Sequence, residues 1–203
     1  MANGKVITGF SKPYVAVYAA NNGSPTYSDG QALARGVSAS LEASTGDSVN
    51  FYADNVIAES VGGVFTGANL NLVVDGLKDT ARKLIMGLPT ASTKTINGQS
   101  VSIFEYDDRQ SIPYVGIGFI IRYMEAGVTT YAPIVFTKCA FSVDGLSANT
   151  QEETIDFQTQ ELTATVMRDD STHHTWRKIA ADQTTEQAAE NILRNLLNIN
   201  TTI

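Results

Sequence analysis

Few side chains in this chain are equipped for chemistry. They are two adjacent histidines, His173-His174, one cysteine, Cys139, and the acidic pairs Asp107-Asp108 and Asp169-Asp170. An imidazole pair can ligate a metal or act as a general base. Adjacent residues on an extended chain point to opposite faces, however, and Asp169-Asp170-Ser171-Thr172 has the composition of a turn, so the histidines read as a solvated hairpin tip. Asp107-Asp108 is followed by Arg109-Gln110-Ser111, with no second carboxylate at a helical spacing, and reads as a charged loop rather than a paired acid and base. Cys139 stands in an apolar run without a base beside it, the setting of a small core residue rather than a nucleophile. Gly116-Ile117-Gly118 opens like a dinucleotide loop, but Phe119-Ile120-Ile121 follow where that motif needs a third glycine and a helix start. Gly-x-Ser-x-Gly, His-Glu-x-x-His and phosphate-loop patterns do not occur. An enzyme built on this chain needs His173 and one acidic pair to meet in a pocket. The sequence makes no positive case for one, nor for a metal or a cofactor.

Composition narrows the classes further. The chain has 203 residues, enough for one domain with a core or for a domain with extended arms. A single cysteine excludes an internal disulfide framework and a zinc site built on cysteine pairs. With 14 Lys+Arg against 21 Asp+Glu, the formal charge is −7 and the cations form no run, so contact with DNA is expected to be repulsive or transient. The longest apolar stretch, Val115 to Ile121, contains two glycines and falls far short of the roughly 20 residues of a spanning helix. Met1-Ala2-Asn3-Gly4-Lys5 lacks the apolar run of a secretory signal, so use without export is the expectation.

The elements that must position any site read mainly as strands, because charge is sparse and Ser, Thr, Asn, Gly and Gln are plentiful. In Gly36 to Ala43, Val37, Ala39, Leu41 and Ala43 alternate with Ser38, Ser40 and Glu42, the pattern of a half-buried strand. Leu70, Leu72 and Val74 alternate with Asn69 and Asn71, and Leu162, Ala164 and Val166 with Thr163 and Thr165. Tyr114 to Tyr123 is apolar on both faces, as a strand covered on both sides would be. Gly116 and Gly118 share one of those faces and leave room for another backbone or a helix. A turn at Glu125-Ala126-Gly127 leads into a run from Val128 to Phe141, which predicts a hairpin, and Pro133 within it suggests an edge or a bulge. Asn97-Gly98 predicts a second hairpin.

Two segments have helical spacing. Leu77, Ala81, Leu84 and Ile85, stopped by Gly87 and Pro89, predict about three turns. Thr184 with Gln187 resembles a capping box and opens a C-terminal helix over 184–198 with Ala188, Ile192, Leu193, Leu196 and Leu197 on one stripe. Residues 21–31, 90–95 and 149–153 read as polar loops, none long enough for a domain linker.

Several stretches, taken in order, resemble the major tail protein family of long, non-contractile-tailed bacteriophages, the siphophage tail tube proteins. They are Phe51-Tyr52-Ala53-Asp54-Asn55, Glu59-Ser60, Phe65 to Leu70, Val74 to Leu77, Pro113 to Phe119, Phe136 to Phe141, Ile155 to Met167, Trp176-Arg177 and the closing helix from Thr185 to Asn198. The likeness runs from about Val37 to Asn198; Met1 to Pro13 matches loosely and reads as an N-terminal arm. The loop at Asp107 to Gln110 is less acidic than the family's, and the His173-His174 tip is not a family feature.

The resemblance implies a single tail tube domain over 1–203: a β-sandwich or partial barrel with a flanking α-helix and a C-terminal helix. It further implies hexameric rings that stack into a hollow virion tube, made in the host cytoplasm, through which DNA passes in transient, non-specific contact during ejection. Implied partners are further copies of the chain and the tape-measure, baseplate or distal tail, and tail terminator proteins, with no cofactor. The polar strand faces, Ser38, Ser40, Glu42, Asn69, Asn71, Thr163 and Thr165, become candidates for the lumen wall. Phe51, Tyr52, Val61, Val64 and Phe65, in a connection around 52–67 unusually apolar for a solvent-facing loop, become candidates for contacts between subunits or rings, as do Gly116 and Gly118. The rival reading is a monomeric β-sandwich module that binds carbohydrate or protein through an aromatic patch on its loops.

Overall fold

Strand alternation places a continuous apolar face along most of the chain, and such a face must be covered. The computed structural model, which describes residues 4–143, 145–150 and 157–199, solves this by curling one antiparallel sheet around a core. In chain order the elements are β1 (Val6–Asn21), β2 (Ser24–Ala32), β3 (Gly36–Thr45), β4 (Val49–Ala53), β5 (Val56–Val61), β6 (Phe65–Val74), α1 (Asp79–Met86), β7 (Ser92–Ile96), β8 (Gln99–Ile103), β9 (Val115–Glu125), β10 (Val128–Phe141), β11 (Gln160–Met167), β12 (Arg177–Ile179) and α2 (Glu186–Leu196). The main sheet runs β2-β1-β9-β10-β11-β6-β3, with β12 also paired to β10, while β4-β5 and β7-β8 form separate two-stranded ribbons. The chain is thus mainly β, with a flanking helix and a C-terminal helix.

The curl brings β1 back toward β3. A Cβ on Gly36, the first residue of β3, would stand 2.0 Å from Phe10 Cε1 of β1. Inside the curl lie Leu70, Leu72 and Val74 of β6, Val115, Ile117 and Phe119 of β9, Ile134 and Phe136 of β10, and Leu162, Ala164 and Val166 of β11. Ala81, Ile85 and Met86 of α1 join this core. The outer face of β1-β9-β10 carries Ala16, Tyr18, Ile120 and Val135, and α2 covers it with Ala189, Leu193 and Leu197. Each Val, Leu, Ile, Phe or Met side chain so buried contributes about 1.5–3 kcal/mol.

Several expectations are revised. Residues 21–31 are not a loop: Asn22-Gly23 turns at φ 49° and 75°, and Ser24 onward pairs with β1. Residues 92–95 likewise belong to β7. Val6 to Pro13, expected in an arm, lie in β1 and pair with β9 as far as Ser11; residues 1–3 of that arm are outside the described residues. The same holds for 151–153 of the third polar loop and for Ile155 and Asp156. Helix α1 has 8 residues, two turns rather than three, and α2 is capped by Thr185, whose hydroxyl accepts from Ala188 N at 3.2 Å, not by Thr184. Pro133 is in an interior strand, yet its ring costs no ladder bond to β9. Its carbonyl accepts from Ala180 N on the β12 side, and amide and carbonyl of one residue face the same strand edge, so the missing donor falls just where β12 has ended.

Candidate assembly surface

The seven polar strand residues singled out in the sequence come together. Across β3, β6 and β11, Ser40, Asn71 and Thr163 stand in one cross-strand row, and Glu42, Asn69 and Thr165 in the next. Ser38 lies opposite Val73, which lies opposite Glu161. Thr163 Oγ1 donates to Asn71 Oδ1 at 3.1 Å, so the row is hydrogen-bonded across strands as well as aligned. The alternate residues, Leu41 with Leu70 and Ala164, and Ala39 with Leu72 and Leu162, turn the other way into the core. Strands β3, β6 and β11 present Glu42 and Glu161 on this face and no Lys or Arg of their own. Val37, expected on the apolar side, is 56% exposed because the register slips between Gly36 and Ser38 and leaves it in a bulge.

This face ends on β3, whose outer edge has no paired strand among the described residues; β2 is the other free edge. A 10-residue edge with unpaired amides and carbonyls is a template for another strand.

Beside that edge projects the β4-β5 ribbon, where a greasy loop was expected. The last bond of the β3-β6 ladder is Gly46 N to the Val64 carbonyl at 2.9 Å, and Gly63 packs so closely on Gly46 that a Cβ would meet its carbonyl oxygen at 1.7 Å. Asp54-Asn55 closes the ribbon with φ of 49° and 63°. Every residue of both strands is exposed. The register sorts them onto two faces. Val49 with Val61, Phe51 with Glu59 and Ala53 with Val56 share one; Asn50 with Ser60 and Tyr52 with Ile57 share the other. Phe51 and Tyr52, bracketed together from sequence, therefore point in opposite directions. An isolated two-stranded ribbon is marginally stable in water, and one with an apolar face calls for a partner.

Three expected contact residues are placed elsewhere. Phe65 is half-buried, stacked on Trp176 with ring centroids 4.2 Å apart and planes 7° off parallel. Gly116 and Gly118 are buried inside the chain, not at a subunit boundary. A Cβ on Gly116 would meet Tyr27 Cε1 at 2.4 Å and Leu197 Cδ2 at 2.9 Å, and one on Gly118 would meet Leu193 Cδ1 at 2.5 Å, so the close approach they allow is that of the Tyr27 ring and of the C-terminal helix. Val61 and Val64 remain exposed, at 70% and 68%.

Of the residues equipped for catalysis, His174 is brought beside the Asp169-Asp170 pair, by local bonds within one turn. His174 N donates to the Ser171 carbonyl at 3.0 Å and its Nδ1 lies 3.3 Å from the Asp169 carbonyl, in the turn between β11 and β12. Asp169 is buried and accepts from Ser171 N and Oγ. Hydrogen bonds from the Arg109 side chain and backbone hold the Asp107 carboxyl below the usual range. Burial pushes the Cys139 thiol well up, away from thiolate chemistry. A cleft of about 920 Å³ bordered by Asp75, Arg82, Tyr106, Leu146 and Glu161 is lined by neither histidine nor Asp107. Among the described residues no group of three His, Cys, Asp or Glu is placed to hold a metal, and no helix is long and apolar enough to cross a membrane.

Trp176, Arg177 and Arg168 were not recognised from sequence as a surface. The Arg177 guanidinium lies 4.6 Å from the Trp176 ring centroid, and Arg168 Nη2 donates to the Phe65 carbonyl. The sequence signal was the Trp176-Arg177 dipeptide; its pairing with Phe65, 111 positions earlier, is set by the sheet. Compared with known protein families and with curated proteins, the sequence matches none.

Proposed function

We propose that this chain is a structural subunit that assembles with copies of itself into a tube, as the tail tube proteins of long, non-contractile-tailed phages do. In this reading hexameric rings stack in the virion, DNA passes through the lumen during ejection, and tape-measure, distal tail and terminator proteins set the ends. The chain performs no catalysis and needs no cofactor.

One observation carries the reading: an aligned, small and polar sheet face, acidic where charged, runs out to a free edge strand beside an exposed apolar ribbon. Joining free edges around a ring removes the aggregation hazard of each and extends the polar face into a continuous wall. Strands that present carboxylates and no cations of their own give phosphates little to bind, which suits passage rather than retention.

Negative-stain electron microscopy of the purified, tag-free protein across a concentration series tests this. Rings or hollow tubes of uniform width are expected. Protein that stays monomeric throughout, with distal tail protein added as initiator, would overturn it and favour a monomeric binding module.

A further inference from the structure

The apolar face of the β4-β5 ribbon has a carboxylate in its middle. Glu59 lies opposite Phe51 and shares that face with Val49, Val56 and Val61. From Gly46 to Gly67 the chain holds Asp47, Asp54 and Glu59 and no Lys or Arg. A partner closing over the face takes Glu59 out of water, and a desolvated carboxylate without a cation is strongly unfavourable. The occupant must therefore supply apolar area and a cation together.

This chain carries such a surface at the start of β12. Phe65 and Trp176 form a half-buried stack flanked by Arg177 over the indole and Arg168 on the Phe65 carbonyl. Both arginines are exposed, and neither has a carboxylate within ion-pair range among the described residues. Trp and Arg are the residue types that dominate interface energetics. The chain's own ribbon leaves the patch uncovered, since every residue of that ribbon is exposed.

We propose that the β4-β5 ribbon of one copy docks on the Phe65-Trp176-Arg177-Arg168 patch of a second copy, with Phe51 against the aromatic stack and Glu59 facing the guanidinium groups. Ribbon and patch are different surfaces, so docking of the kind a ring or tube needs is head-to-tail: each copy offers a free ribbon to one neighbour and a free patch to another. The inference rests on the assembly reading above and adds to it the receptor surface and the charge pair.

Sedimentation velocity of the full chain over a concentration series, for wild type, Glu59→Arg, Arg177→Glu and the double variant, tests it. Each single reversal should raise the concentration for half-assembly by about tenfold or more, and the double reversal should bring it back to within about threefold of wild type. All four should keep the same thermal midpoint, because both side chains are exposed; Arg177→Gln, expected to give an intermediate loss, replaces Arg177→Glu if that variant fails to fold. Single reversals that assemble like wild type, or a double variant that recovers nothing, would overturn the docking while leaving tube assembly standing. A wild type that never assembles would overturn both.

Discussion

Glu190 shows how a single residue ties the C-terminal helix to the sheet. Burial alone would raise its pKa, but the Tyr14 hydroxyl at 2.5 Å and Lys12 Nζ at 3.2 Å outweigh burial and hold the carboxyl below its ordinary range. The same contact, with burial as the larger cause, pushes Tyr14 up to about 12. Because the folded pKa is the lower one, the carboxylate's contribution is complete above the unfolded value and is lost as pH falls through the folded value. Glu190→Gln should therefore cost about 1–2 kcal/mol at neutral pH and progressively less in acid, in denaturant titrations run from pH 7 down to pH 3. A loss independent of pH would show that packing, not charge, holds the helix. Gly118 makes the complementary case. Any side chain there drives into Leu193 and Leu197, and Gly118→Ala should lower stability by about 1–3 kcal/mol on thermal unfolding, with Gly118→Glu failing to fold. That a helix or backbone would cover Gly116 and Gly118 was legible from their spacing; that it is the chain's own α2 was not, since nothing local pairs residue 118 with 193.

At the scale of elements, strands with strict alternation were legible and those with polar or mixed composition were not. Leu70, Leu72 and Val74 against Asn69 and Asn71 define β6 unaided, and the register then aligns all seven polar positions on one face. Strand β2 contains Pro25, Asp29 and Gly30, turn chemistry that reads as loop; it is a strand because β1 pairs along it and Tyr27 buries against the outer cluster, both non-local facts. The β4-β5 ribbon escaped for the opposite reason. Apolar residues at Val49, Phe51, Tyr52 and Ala53 obscured the period; once β4 is a strand, alternation sends Phe51 and Tyr52 to opposite faces, and the extra residue Ala58 in β5 brings Ile57 onto the side of Tyr52. Two substitutions exploit that division. Phe51→Ser and Tyr52→Ser should each leave the monomer's unfolding midpoint within about 0.5 kcal/mol of wild type, since both side chains are exposed. Phe51→Ser should abolish tubes in negative stain and Tyr52→Ser should not; equal effects would remove the distinction between the faces. Helix α2 gives a milder test, Thr185→Ala, which loses the cap to Ala188 N and should cost about 1 kcal/mol by denaturant unfolding.

For the whole molecule, the deciding quantity is the sign of charge on the polar face rather than the net charge. A formal −7 spread over a monomer repels DNA weakly at physiological salt, where screening acts within about 8 Å. In the proposed ring, six copies would concentrate the Glu42 and Glu161 carboxylates on one wall, where opposed surfaces and excluded water would focus the field. In the tube reading those carboxylates keep a duplex moving. Glu42→Lys with Glu161→Lys moves each chain from −7 only to about −3, still acidic overall, yet turns the wall basic. Assembled wild-type tubes should show no salt-sensitive retention of short duplex DNA in fluorescence anisotropy. Tubes of the double variant should retain it, with an affinity that falls steeply as salt is raised from 50 to 200 mM in proportion to the phosphates neutralised. Monomers of the same variant, held below the assembly concentration, should bind far more weakly, because only the closed wall gathers the lysines. DNA retention equal in monomer and tube, or unchanged by the substitutions, would place this face on the outside of the assembly and move the lumen to another surface.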